Sequence, residues 1–253
     1  MQTGTIKVLQ KDLIKRQVEK IRYYQPRIGG KKLYSLLKPD LNKLEGASVG
    51  RDKFFDILRK NKLLVKRRKK YVRTTDSYHR FHKYKNKLKE KVLTRPGQCV
   101  VSDITYLRTR EGFVYLFLQT DAYSRLITGW HLSDSLSIEG AIKALKKSIR
   151  QCGETSGVIH HSDRGIQYCS NEYVKILNRH KMEISMTEEN HCYENAMAER
   201  VNGILKEEFL LDSEFVNKAE ALKAVKEAIY SYNNRRPHWS LNLFTPVQIH
   251  QAA

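Results

Sequence analysis

Residues 98–132 read QCVVSDITYLRTREGFVYLFLQTDAYSRLITGWHL. Three runs within this stretch, 98–107 (QCVVSDITYL), 113–120 (FVYLFLQT) and 126–132 (LITGWHL), are rich in β-branched and aromatic residues. Such side chains suit a pleated, half-buried surface and predict three consecutive strands. Gly112 separates the first two runs and Ser124-Arg125 the last two. Connections this short join antiparallel strands, because a parallel pair needs a crossover of a dozen residues or more. Downstream the apolar period changes. Ile138, Ala141, Ile142, Leu145 and Ile149 form a helical stripe over 137–151, followed by a short strand at 158–161. A helix near 171–180, a strand near 182–187 and helices over about 195–210 and 217–235 complete the pattern. Three strands, then helix and strand in alternation, predict a mixed α/β sheet with helices on its faces.

Upstream the composition differs. Ile14, Val18, Ile21 and Tyr24 predict a helix that ends before Pro26, and Leu33, Leu36 and Leu37 a second that stops at Pro39. Phe54, Phe55 and Leu58 supply a third. Short helices joined by Gly-containing turns fit a helix-turn-helix module, and equally an ordinary helical bundle with a basic surface. Residues 66–95 read as a connector that opens on Lys66, Arg67, Arg68, Lys69 and Lys70 and carries Tyr71, Tyr78, His79, Phe81, His82 and Tyr84 among further cations. Such a block could order against phosphates and stack on bases, or act as a soluble tether. His79 and His82 have no cysteines at zinc spacing.

The charge follows the same boundary. The 253-residue chain has a net charge of +20, and residues 1–95 hold 29 Lys/Arg against 8 Asp/Glu. Residues 96–253 hold 18 against 19, so the whole excess precedes residue 96. A one-sided positive charge fits a polyanion, most simply nucleic acid, although an anionic membrane surface or a ribosome satisfies the same arithmetic. With 40% hydrophobic and 29% charged residues, the chain is neither disordered nor a membrane bundle. No apolar run approaches the roughly 20 residues needed to cross a bilayer. The first residues, MQTGTIKVLQKDL, lack a signal-peptide core. Cys99, Cys152, Cys169 and Cys192 form no C-x-x-C pair and read as reduced thiols of a cytoplasmic protein.

Three acidic residues could carry chemistry. Asp103 interrupts an apolar strand, where a carboxylate costs desolvation energy unless it is paired, hydrogen-bonded, bound to metal or turned to the solvent face. Asp163 follows the strand at 158–161, a position where ligands gather in α/β sheets and where Asp also forms ordinary turns. Glu199 lies on a helix with Met197, Val201, Ile204 and Leu205 on one face and Asn195, Glu199, Asn202 and Lys206 on the other. That second face is either a functional stripe or a solvated one. Carboxylates converging from separate elements can hold Mg2+, and two such ions stabilise the attacking and leaving oxygens of an in-line phosphodiester displacement.

The blocks SDITYL (102–107), DAYSR (121–125), HHSDRGIQY (160–168), YENAMAERVNGILKEE (193–208) and YNNRRPHWSL (232–241) resemble the catalytic core of insertion-sequence transposases with a retroviral-integrase-like fold. Asp103, Asp163 and Glu199 match that family's Asp-Asp-Glu triad, with 35 residues between the last two. The resemblance covers about residues 96–250, and residues 10–65 resemble more weakly the helix-turn-helix segment that often precedes such a core. One departure is Val100, where relatives commonly carry Trp.

The resemblance implies an RNase H-like mixed five-stranded sheet flanked by helices, preceded by a small basic helical domain. The expected organisation is a helix-turn-helix-like region at 1–65, a basic linker at 66–95, a catalytic core at 96–212 and a C-terminal helical extension at 213–253. Asp103, Asp163 and Glu199 would hold Mg2+ or Mn2+, as two ions, for cleavage at transposon ends and strand transfer by the freed 3′-hydroxyl. Candidate DNA contacts are Lys31, Lys32, Lys66, Arg67, Arg68, Lys69, Lys70, Tyr193, Asn195, Lys206, Arg235, Arg236 and His238. Arg235, Arg236 and His238 are equally suited to a structural role at a helix end. His161 is a candidate to orient a phosphate or water, or a structural histidine. Further expectations are double-stranded DNA as substrate, at least a dimer, an upstream-frame helix-turn-helix partner, no membrane, and a nucleoid-associated location. A non-catalytic DNA-binding regulator and a nuclease that cuts without joining are the rival readings.

Overall fold

The computed structural model describes residues 2–42, 49–66, 81–89, 91–188 and 196–252. Arg67, Arg68, Lys69, Lys70, Tyr193 and Asn195, named above as DNA contacts, lie outside them. The chain divides into two compact units, Met1–Lys70 with Glu207–Leu210, and Tyr71–Lys206 with Leu211–Ala253.

The first unit contains α1 (Gln2–Tyr24), α2 (Gly30–Leu41) and α3 (Arg51–Lys60). The apolar stripes meet as their spacing requires. Ile14 and Val18 of α1, Leu33 and Leu37 of α2, and Phe54 and Leu58 of α3 are buried in one cluster with Ile28, Leu41, Val49 and Ile57. One boundary differs from expectation: α2 continues through Pro39. The proline sits in the last turn, where its missing N–H costs only the bond to the Ser35 carbonyl, and the same turn buries Leu41 to 4% exposure. Lys32 is buried as well, with its Nζ 3.3 Å from Glu208 Oε1, a residue of the same unit. Its charge is committed to that carboxylate, so Lys32 is withdrawn as a DNA contact, whereas Lys31 and Lys66 are exposed.

The second unit runs β1 (Cys99–Thr109), β2 (Gly112–Asp121), β3 (Ile127–Ser133), α4 (Ile138–Cys152), β4 (Ile159–Ser162), α5 (Ile166–Cys169), α6 (Asn171–Arg179), β5 (Glu183–Met186), α7 (Ala196–Glu208, its last two residues belonging to the first unit), β6 (Glu214–Phe215), α8 (Lys218–Asn234) and α9 (Pro246–Gln251). The five principal strands lie in the order β3-β2-β1-β4-β5. β1–β2 and β2–β3 are antiparallel, while β1–β4 and β4–β5 are parallel. The two-residue β6 adds a sixth, parallel to the far end of β1 at Arg108–Thr109.

Alternation along β1 divides the core between two layers. Val100 faces α4, α5 and α6 with Phe117, Leu145, Tyr168, Tyr173 and Leu177, while Cys99 and Val101 face Ile159, Ala122 and Ala198 of α7. α4 sits close enough to β3 that a Cβ on Gly129 would lie 2.4 Å from Ala144 O and 2.6 Å from Ser148 N. The chain leaves β1 towards β2 on one side and leaves β4 towards β5 on the other. The β1/β4 pair is thus the switch point of the sheet, the position at which the ligand crevice of an open α/β sheet lies.

Candidate active site

The register of the parallel pair sets the two aspartates together. Cys99, Val100 and Val101 of β1 stand opposite Ile159, His160 and His161 of β4. Carried two residues further, the same register puts Asp103 beside Asp163, just past the end of β4. Side-chain alternation turns Asp103 to the α7 face. Asp103 is half-buried there, its Oδ1 accepting the Ile104 N–H at 2.9 Å and its Oδ2 the Asn202 amide at 2.7 Å. Burial pushes its pKa up to about 7, and the nearby charges of Asp163 and then Glu199 push the same way against those two hydrogen bonds. Asp163 Oδ1 accepts the N–H of Gly165 at 2.9 Å. A Cβ on Gly165 would stand 3.0 Å from that oxygen, so the bare glycine lets the turn close on its aspartate.

α7 presents the polar face expected of it, and that face is not simply solvated. Ala198, Val201, Ile204 and Leu205 are buried, and Glu199 is exposed on the first turn. Asn202, one turn on, is 7% exposed and donates to Asp103. Lys206, a further turn on, stands over the Tyr106 ring at 4.3 Å from its centroid. Burial lowers the pKa of that ammonium, and Asp103 and Asp212 act in the opposite direction. Glu199, Asn202 and Lys206 therefore line the side of α7 that meets Asp103. Among the described residues, no three His, Cys, Asp or Glu side chains stand close enough to enclose one ion. Asp103 and Asp163 are engaged by protein donors, and Glu199 is the outer member of the set.

The site also has a buried support that sequence reading missed. Ser102, next to Asp103, has its Oγ 2.7 Å from His160 Nε2 and 2.6 Å from Gln119 Oε1. Tyr173 OH closes the cluster, 2.9 Å from the same His160 nitrogen and 3.1 Å from Gln119 Nε2. Burial, with His161 next, holds the His160 imidazole down at about 3, neutral throughout the physiological range. His161 is fully buried with Nδ1 2.8 Å from Ser185 Oγ, which makes it a structural histidine. The visible signal was the alternation of Ser102 and Asp103, which must face opposite sides of one strand.

Other candidates go to structural work. Arg236 and His238 are 2% and 5% exposed and both pack on Tyr232. They are withdrawn as DNA contacts because a phosphate cannot reach them, whereas Arg235 is exposed beside the Tyr230 ring. The DAYSR block forms a turn in which the buried Asp121 carboxylate accepts the Gly97 N–H at 2.8 Å and the Ser124 N–H and Oγ–H at 2.7 Å. Ser124 Oγ also lies 3.0 Å from His250 Nδ1 of α9.

The order of strands and helices defines an RNase H-like core, and the paired aspartates sit at its switch point. Models of the integrase core domain match residues 94–192 and 180–246. The chain is 35% identical over 204 residues to the insertion element IS600 uncharacterized 31 kDa protein of Shigella sonnei, covering 80% of this chain and 75% of that protein. It is 34% identical over 185 residues to the transposase for insertion sequence element IS629 of the same organism, covering 73% of this chain and 62% of the relative. Of solved structures, the simian T-cell lymphotropic virus intasome in complex with the PP2A regulatory subunit B56 gamma aligns with a TM-score of 0.55 at 18% identity, over 89% of this chain and 75% of that one. The HTLV-2 integrase catalytic core domain in complex with magnesium aligns with a TM-score of 0.50 at 19% identity, over 62% of this chain and 97% of that one. The chain belongs to the insertion-sequence transposases with an integrase core domain. No helix among the described residues is long and apolar enough to cross a membrane.

Proposed function

We propose that this transposase cuts the phosphodiester at the ends of its element and joins the freed 3′-hydroxyl to target DNA, with Asp103, Asp163 and Glu199 as its catalytic carboxylates. The observation that carries the reading is the convergence on Asp103, where Asp163 from the β4 end and Asn202 from the Glu199 face of α7 meet one β1 carboxylate. An all-oxygen set of repelling carboxylates suits Mg2+ or Mn2+, and the magnesium in the HTLV-2 integrase core supports a divalent ion here. When bound, a pair of such ions would lower the pKa of water and offset charge on the phosphodiester oxygens.

The chain's own residues have separable tasks. Asp103 and Asp163 bind from adjacent strands, and Glu199 moves inward from the first turn of α7 to complete the set. Asn202 orients the Asp103 carboxylate, and Lys206, on the same face, meets a substrate phosphate. In the first step water attacks phosphorus and the 3′-oxygen leaves with a proton. In the second that 3′-hydroxyl attacks a target phosphodiester, whose own 3′-oxygen leaves. One phosphodiester replaces another, so no ATP is consumed. Bringing two ends together requires at least a dimer, a reading supported by the viral intasome. Lys31, Lys66, Arg67, Arg68, Lys69 and Lys70, in the basic first part of the chain, bind duplex DNA, and Tyr193, Asn195 and Arg235 add further contacts to it. An upstream-frame helix-turn-helix protein would add specificity for the ends.

The test uses duplexes of the DNA on either side of the gene, supplied intact or pre-cut with a free 3′-hydroxyl, with target DNA and Mg2+. The parent chain is expected to cut the first and join the second. Asp103→Asn and Glu199→Gln are expected to lose at least about 100-fold in both steps while retaining duplex binding within about twofold. Cutting without joining by the parent would establish a nuclease, and binding without either step a regulator.

A further inference from the structure

The charge of the second unit is unevenly placed. Residues 96–253 hold one more acid than cation, yet α4 carries Lys143, Lys146, Lys147 and Arg150 against Glu139 alone. All four cations are exposed, because the inner face of α4 is taken by Ala141, Ala144, Leu145 and Ile149. α4 flanks β3, the outer strand of the sheet on the side away from β4. Lys147 is held outward there, its Nζ donating to Trp130 O at 3.0 Å and standing 5.0 Å from the centre of the Trp130 ring. A carbonyl and a ring position this cation without neutralising it. Lys143, Lys147 and Arg150 follow one another at helical spacing along roughly 10 Å of α4. Lys226 of α8 acts on Lys147, and His131 of β3 lies beside the same cations. Burial, then Arg150 and Lys226, lower the pKa of Lys147, and burial, then Lys143, Lys147 and Lys218, lower that of His131. Lys218 is paired with Asp134 and is left out. Glu139 stands one turn before Lys143 and the exposed Glu227 follows Lys226, so the ridge keeps an excess of cations over two neighbouring acids.

We infer that the ridge formed by Lys143, Lys147, Arg150 and Lys226 along the β3 edge is a second DNA surface of this protein, which takes the phosphate backbone of a duplex without reading its bases. A row with a net excess of cations complements a regularly charged polyanion, and about 10 Å of B-DNA axis carries about six phosphates. A second copy of the chain is the poorer occupant, since symmetric pairing would set like charge against like. The ridge lies at the opposite side of the sheet from β4 and so is separate from the crevice beside Asp103. The inference rests on the DNA-processing reading above and extends it from the reacting ends to the rest of the duplex.

The test is fluorescence anisotropy of the full chain on a labelled duplex of random sequence, titrated at several salt concentrations. Each phosphate contact contributes about 0.9 to the slope of log K against log salt. The variant Lys143→Gln/Lys147→Met/Arg150→Gln, which keeps an apolar stem on Trp130, is expected to lower the slope by about 2–3. The control Lys175→Gln/Arg179→Gln/Lys181→Asn removes the same charge from another face and is expected to lower it by less than about 1. Equal changes in the two variants, or an unchanged slope in the first, would overturn the proposal. Lys143→Gln/Arg150→Gln, at two exposed positions, gives the same reading with a drop of about 2 should the triple variant fold poorly. Asp103→Asn separates the two ideas, since it is expected to abolish cutting and leave the slope intact.

Discussion

Asp103 is costly to ionise where it stands, and that cost sets a pH dependence. With its pKa at about 7, the folded chain keeps a proton that an unfolded carboxyl releases near pH 4. The folded state then binds the extra proton between those values, so stability falls as pH rises from about 4 to 7 and the full penalty is present above 7. Asp103→Asn removes the penalty. Urea titrations are expected to show the variant more stable than the parent at pH 8, by on the order of a few kcal/mol, and equal to it at pH 4. His160 has the opposite sign. Its imidazole titrates at about 3 in the fold and near 6.5 when unfolded, so its contribution is whole above pH 6.5 and is lost on acidification towards 3. His160→Gln is expected to flatten the acid limb of the stability profile, and an unchanged limb would count against the buried neutral ring. A residue-level reading of the sequence found Asp103 because a carboxylate inside VVSDIT is conspicuous. It did not find His160, because a histidine in an apolar strand looks the same whether it packs, titrates or supports a neighbour.

At the scale of elements, α7 and β1 make the site and α4 and β3 hold the frame. Asn202 joins the first pair through its 2.7 Å bond to Asp103. On the proposed function, in which Asp103 holds a metal ion and Asn202 is its outer partner, Asn202→Ala is expected to lower kcat for strand cleavage about 10–100-fold with KM for the duplex little changed. Asn202→Gln restoring neither would mark a demand for geometry; loss of duplex binding instead would place Asn202 on the DNA. Gly129 governs the second pair, since the carbonyl of Ala144 occupies the space a Cβ needs. Gly129→Ala forces backbone apart and is expected to cost at least about 3 kcal/mol in chemical denaturation. Element types were legible in the sequence because apolar period distinguishes strand from helix. The end of α2 was not, because burying Leu41 outweighed a proline in a last turn. Nor was β6, whose two residues are too few to carry a period.

The molecule as a whole combines a basic helical unit with a sheet unit that is nearly neutral from residue 96 onward. On the proposed function, a divalent ion binds the folded chain and not the unfolded one. Mg2+ at ten times its dissociation constant would therefore add about 1.4 kcal/mol and raise Tm by a few degrees. Differential scanning calorimetry of the parent is expected to show that rise, and Asp103→Asn/Asp163→Asn to lose it. An equal rise in both would place the ion elsewhere.

The sequence by itself determined the type and order of the longer elements, the order of charge along the chain and the identity of the acidic residues, since each follows from local period, composition and spacing. Only the tertiary structure decided what those residues meet. Parallel register at the β1/β4 switch set Asp103 beside Asp163, and packing of α7 made Asn202 a partner of Asp103. Burial withdrew Lys32, through Glu208 far along the chain, and Arg236 and His238, through packing on Tyr232, although nothing in the sequence beside them distinguishes them from Lys31 or Arg235. A side chain's environment is created by segments far away in sequence, and no local pattern encodes it.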